Sequence, residues 1–138
     1  MIKVTSTILT IFVLSTSLFA DDMAAKVQKQ NQEVVKLAAE ELNKQLPQKI
    51  DNYTQLISIK GKEQSLLYTY EIKTGDKSDE EVIREDKSRM KTAVTQGICS
   101  SSERFLNNGI DISYIYTSAV SKKTLFRFDV SQKDCAKK

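Results

Sequence analysis

From Asp22 to about Leu46, apolar residues return every three or four positions. Val27, Val34, Val35, Ala38, Leu42 and Leu46 carry the pattern, with Lys26, Lys29, Gln32, Lys36, Glu40 and Lys44 between them. One apolar stripe with that period predicts a long amphipathic helix whose stripe faces a core. Pro47, the only proline, stops it, because its ring and its missing N–H forbid continuation. The pattern then changes to alternation. Tyr53–Lys60 and Leu66–Lys73 read as strands. In the second, Leu66, Tyr68, Tyr70 and Ile72 share one face, and Thr69, Glu71 and Lys73 the other, as in a half-solvated antiparallel strand. Gly61-Lys62-Glu63-Gln64 between them fits a hairpin turn.

Helical period resumes after Gly75. Ser78-Asp79-Glu80-Glu81 has the form of a capping box, in which Ser78 accepts from the third helical amide and Glu81 reaches back. Val82, Ile83, Met90, Ala93, Val94 and Ile98 supply the apolar positions. Ser100 and Glu103 suggest a second box, followed by a short helical turn that ends at Gly109. Ile110–Thr117 and Leu125–Val130 alternate again and predict a closing hairpin. The order is α-β-β-α-β-β. We expect one α+β domain with its helices packed on one face of a four-stranded antiparallel sheet. Both halves carry a Tyr-x-Tyr strand, Tyr68 with Tyr70 and Tyr114 with Tyr116.

The start of the chain sets the compartment. Met1-Ile2-Lys3 precedes an apolar run from Ile8 to Leu14, and Ala20 stands before Asp21-Asp22. This is the form of a secretory signal peptide, predicted over residues 1–20, which leaves 21–138 as the domain. The run is shorter than the about 20 residues that span a bilayer, so no stable membrane insertion is expected after cleavage. The periplasm, or full secretion, follows as the expected location.

Composition narrows the chemistry. Lys and Arg total 21 against 18 Asp and Glu, with no basic stripe, which argues against nucleic acid as a partner. The chain has no His and no Trp. Without His, the commonest general base and metal ligand are missing, and Ser–His–Asp and Cys–His arrangements are excluded. Two cysteines cannot by themselves close a four-thiolate zinc site. No metal, cofactor or catalytic residue is predicted, and the expected function is not enzymatic.

Several constellations invite a functional reading. Asp79, Glu80, Glu81, Glu85 and Asp86 cluster, but interleaved Arg84, Lys87, Arg89 and Lys91 fit surface pairing. Ser88-Arg89-Met90-Lys91 matches S-x-x-K, but Lys73-Thr74-Gly75, a K-T-G match, comes before the serine rather than after it, and no S-D-N follows. Cys99 and Cys135 form an even pair in an exported chain, which favours a disulfide. A redox pair is the alternative, although no C-x-x-C surrounds them. Tyr68, Tyr70, Tyr114 and Tyr116 read as core with wet hydroxyls, or as the lining of an apolar or aromatic ligand site. The strand Tyr53–Lys60 reads as an edge open to an extended partner, with Ile57 and Ser58 as the positions to test.

The second half also carries a resemblance. Gly97-Ile98-Cys99, Phe105-Leu106-Asn107-Asn108-Gly109-Ile110, Ser113–Tyr116, Leu125–Val130 and Asp134-Cys135 together resemble the family of quorum-sensing-regulated virulence factors. These are small exported bacterial proteins. The first half agrees through Leu46-Pro47 and Leu66–Tyr70. The resemblance implies a compact α+β fold, a helix-to-terminus disulfide and no catalytic residues to carry over. A weaker likeness to secretin pilotins, small periplasmic chaperones, points to another exported or envelope protein as the partner.

Overall fold

The structure, a computed structural model, describes residues 17–136. Most of the expected leader, residues 1–16, lies outside the described residues; Ser17–Ala20 form the first turn of helix α1, Ser17–Asn43. The backbone tightens into i to i+3 bonds at Lys44, Gln45 and Leu46, just ahead of Pro47. Strand β1, Gln48–Lys49, follows, then β2, Thr54–Lys62, and β3, Ser65–Ile72. Glu63 turns the β2–β3 hairpin at φ 54°.

Helix α2, Asp79–Ser101, starts at the expected capping box: Ser78 Oγ accepts from the Glu81 amide while the Glu81 carboxylate accepts from the Ser78 amide. Helix α3, Glu103–Asn107, and Gly109 at φ 77° lead into β4, Asp111–Ser118. Strand β5, Thr124–Val130, and helix α4, Gln132–Cys135, close the described chain. Among the described residues, no helix is long and apolar enough to cross a membrane.

The α+β class holds, but the sheet differs from expectation. It has five strands in the order β1-β2-β3-β4-β5, and β3 pairs with β4 in parallel. The reason is the connection. A parallel pair needs a long crossover, and α2 with α3 is that crossover, landing β4 beside β3 in the same direction. Periodicity identified both hairpins but carried no information on how they join. β1 is two residues long, too short to show a period.

The core-facing line of α1 also differs. Val35 and Ala39 are buried, and Ala38, Leu42 and Leu46 pack on the core, whereas Val27 (48% exposed) and Val34 (39%) lie on the flank. Asn31 takes a core-facing position because its amide donates to Gln64 Oε1 at 3.2 Å and to the Asn108 carbonyl at 2.8 Å. A polar residue with long-range partners reads as solvent when only the pattern is scanned.

On α2, Val82 and Ile98 are buried and Ala93 is exposed. The Ser100–Glu103 box does not form: Ser100 Oγ donates back to the Gln96 carbonyl at 3.1 Å, and α3 begins without a side-chain cap. Instead, Ser131 and Asp134 form a capping box on α4. α1 lies over β2 and β3, α2 lies over β5 and β4, and the two helices do not pack along one another. The core between them and the sheet centres on Leu66, Ile112, Val130, Val35, Ile98 and Ile110.

Candidate functional site

The parallel register brings the two Tyr-x-Tyr strands side by side, with Tyr68 opposite Tyr114 and Tyr70 opposite Tyr116. The β4–β5 ladder adds Phe128 beside Tyr114 and Phe126 beside Tyr116. Six rings therefore stand on the helix-facing side of three neighbouring strands. Tyr70 and Tyr116 stack with centroids 4.9 Å apart, and Tyr114 sits 5.2 Å from Tyr68 and 4.9 Å from Tyr70. Phe126 and Phe128 stack at 5.9 Å, each in edge contact with Tyr116. Offset and edge geometries at these distances are favourable beyond the area they bury.

Tyr70, Tyr116, Phe126 and Phe128 are buried, and Tyr68 and Tyr114 half-buried. Burial, aided by the neighbouring Tyr114, pushes the Tyr68 and Tyr116 phenols up to about 12, and Tyr70 is pushed up by the same causes. These three phenols stay neutral at physiological pH, so none is a ready nucleophile or base.

The row belongs to the buried core: Tyr70, Tyr116, Phe126 and Phe128 are closed over, and Ala39 and Leu42 of α1, Leu46 just after it, and Ile83 and Met90 of α2 pack on the same cluster. Val27 and Val34 lie on the flank of α1 opposite Gln32, Lys36 and Asn43, and with the exposed Met23 and Leu37 they make an apolar strip open to solvent. That strip suits an apolar or amphipathic segment.

Ile57 and Ser58 lie elsewhere. β2 is not the sheet edge that alternation suggested: β1 pairs with it at Gln55 and Leu56. Ile57 is the extra residue of a bulge between Leu56 and Ser58, which explains the irregular alternation of this strand. Ile57 is 38% exposed and Ser58 half-buried, and neither reaches the tyrosine row.

Beyond the bulge, Asn43 meets the β2 backbone. Its Oδ1 accepts from the Ile59 amide at 3.1 Å, and its Nδ2 donates to the Ile59 carbonyl and, at 2.7 Å, to the Ala39 carbonyl. Gly61 lets α1 approach: a Cβ there would stand 2.6 Å from Val35 Cγ1. A crevice of about 620 Å³ runs along this contact. Sequence reasoning placed Gly61 in a turn and passed over Asn43. The available signal was a glycine inside an alternating strand, which marks a close backbone approach.

Cys99 and Cys135 are bonded, with Cα atoms 5.5 Å apart, tying the end of α2 to α4. The charged candidates resolve into local pairs. Lys77 bridges Glu85 at 2.5 Å, Arg89 bridges Asp86 at 2.8 Å, and Ser121 Oγ donates to Asp79 at 2.6 Å. Asp129 accepts from Ser113 Oγ at 2.5 Å and from Arg127 Nε at 3.0 Å. Partial burial, with Asp134 and Asp129 nearby, raises the Asp111 carboxyl above the ordinary range. Among the described residues, no group of His, Cys, Asp and Glu could hold a metal ion.

A family model described as Domain of unknown function (DUF8479) matches residues 29–126, well over half of the sequence. The chain belongs to the DUF8479 family. The match spans the packed part of α1, the tyrosine strands and Cys99, and stops short of Cys135. No curated protein sequence matches the chain significantly.

Three solved structures share the DUF8479 chain's fold. A Pseudomonas aeruginosa protein described as secreted is 13% identical with a TM-score of 0.70, covering 79% of this chain and 96% of that one. The type 2 secretion system pilotin EpsS of Vibrio vulnificus is 13% identical with a TM-score of 0.66, covering 83% and 99%. The type II secretion system pilotin AspS of Vibrio cholerae is 14% identical with a TM-score of 0.61, covering 81% and 98%.

Proposed function

We propose that the protein is an exported, non-enzymatic binding module of the bacterial envelope, serving a secretion-associated partner in the manner of a pilotin. The observation that carries this reading is the exposed apolar strip of α1 formed by Met23, Val27, Val34 and Leu37. Such a strip holds a partner segment by burial, without chemistry. The pilotin folds of the two Vibrio proteins support the same reading, as does the signal peptide expected over residues 1–20. A virulence setting under quorum control belongs to this proposal through the family resemblance alone.

The small-ligand alternative has less support. The rings fill one another's contact distances, and the three surface crevices at α1–β2, at Lys49–Lys73 and at the disulfide are lined by other residues.

Photo-crosslinking in living cells tests the proposal. With benzoylphenylalanine at Val34, we expect one discrete adduct with an envelope protein, and its loss when Val27→Lys is added. An adduct formed equally from Ser100, on the exposed far side of α2, would overturn the reading of the α1 strip as the binding surface. A tightly bound small molecule in the native mass spectrum would favour the ligand alternative.

A further inference from the structure

We propose that the open half of the β2 edge, beside α1, is a second docking slot, and that its occupant is an extended segment of a partner protein that adds there as a strand. The proposal shares with the preceding reading only the premise that the protein acts by binding, since the surface lies on the opposite flank of α1 from the apolar strip.

β2 runs through Lys62, but β1 covers it only at Gln55 and Leu56. Past the bulge, Asn43 stands in for the missing strand, accepting from the Ile59 amide and donating to the Ile59 carbonyl. Those bonds show that the backbone groups of Ile59 point away from β3. Strand alternation turns the N–H and C=O of Gly61 the same way, and no backbone hydrogen bond from α1 reaches them. The 620 Å³ crevice lies along this stretch, apolar at Val35, Ala39 and Ile59.

The outward groups of Gly61, left open beside a helix, call for an occupant with backbone donors and acceptors to spare. An extended chain has them, and a helix, whose backbone groups are bonded internally, does not. Pairing would begin at Gly61 and reach Ile59 by replacing the Asn43 amide, over about four residues. Lys36 and Lys60 on the rim, set against Glu40 and Glu63, present both signs of charge, which suits a mixed polypeptide better than a polyanion or a lipid surface.

The test is a phage-displayed library of random dodecapeptides panned on the protein as cells make it, disulfide intact. The expected peptides slow exchange of the Gly61 amide. N-methylation of the peptide at alternate positions should weaken binding about tenfold, with the intervening positions tolerant. Gln32→Trp, an exposed position on the slot wall, should also weaken it about tenfold at unchanged Tm, with Lys36→Trp as a second blocking variant should the first shift Tm. Peptides that map to the apolar strip of α1 and ignore both tryptophans would overturn the slot and leave the binding-module reading standing. Recovery of no peptide would overturn the slot. A dimer of the chain dissociated by Gln32→Trp would assign the edge to a second copy and overturn a partner segment.

Discussion

The two sides of the sheet are secured by different means. On the β5 side, α2 is anchored by the Cys99–Cys135 bond, by Val82 and Ile98, and by α4 beneath its end. On the β2 side, α1 is held by Val35 seated against Gly61 and by two asparagines, Asn31 and Asn43, that reach the backbone of distant segments. One side is covalently stapled. The other rests on a close steric fit and polar clamps, and it carries both candidate surfaces: the apolar flank of α1 and the open half of β2. Binding surfaces belong on the less constrained part of a fold, where local opening costs less free energy. From about Phe19 to Gln30, α1 is exposed on every side, so that stretch has helical hydrogen bonds but no core to hold it.

Breaking the staple should have the largest effect. Cys99→Ser should lower unfolding free energy by about 2–5 kcal/mol in chemical denaturation, the range for small exported domains. A loss below about 1 kcal/mol would mean that packing alone secures the α2 side.

Next comes the steric fit. Gly61→Val should cost about 1–3 kcal/mol, because the new Cβ meets both the Val35 side chain and, at 3.0 Å, its carbonyl oxygen. Hydrogen exchange should then quicken along α1 more than along α2. Uniform loosening would contradict the division into two differently secured sides.

Alkali probes the middle of the sheet that both sides share. An acid whose folded pKa lies above its unfolded value favours the protonated fold, so the fold binds more protons than the unfolded chain between the two values. With Tyr68 and Tyr116 raised from 10.0 to about 12, stability should hold up to pH 10 and fall as pH rises from 10 toward 12. Denaturation midpoints across that window, with tyrosinate absorbance as the second readout, check it. Phenols that titrate near 10 in the folded protein would show the row to be open to water.

The smallest effect belongs to the exposed flank. Val27→Lys should change stability by no more than about 0.5 kcal/mol while abolishing the crosslink expected at Val34. A large loss of stability would place Val27 in the core after all.

Much of the fold is legible in residue order because its determinants are local. The capping box at Ser78, the Gly109 stop and the alternation of Leu66–Ile72 each act within a few residues, and each element stands where the pattern puts it. The pairing of Cys99 with Cys135 follows from their even count and the expected compartment. Other features depend on residues far apart in the chain. The parallel joining of β3 to β4 depends on where a crossover helix lands, and hydrophobic period carries no term for that. Asn31 reaches Asn108 across 77 positions, and Asn43 reaches Ile59 across 16, so neither role shows in the local pattern. The tyrosines could be picked out singly, but only the parallel register sets Tyr68 beside Tyr114 and makes four of them one surface. What the sequence by itself determined was the elements, the expected compartment and the absence of histidine chemistry. The tertiary structure decided which elements are neighbours, and with them the tyrosine row and the open edge, because such features exist only where separate segments are brought side by side.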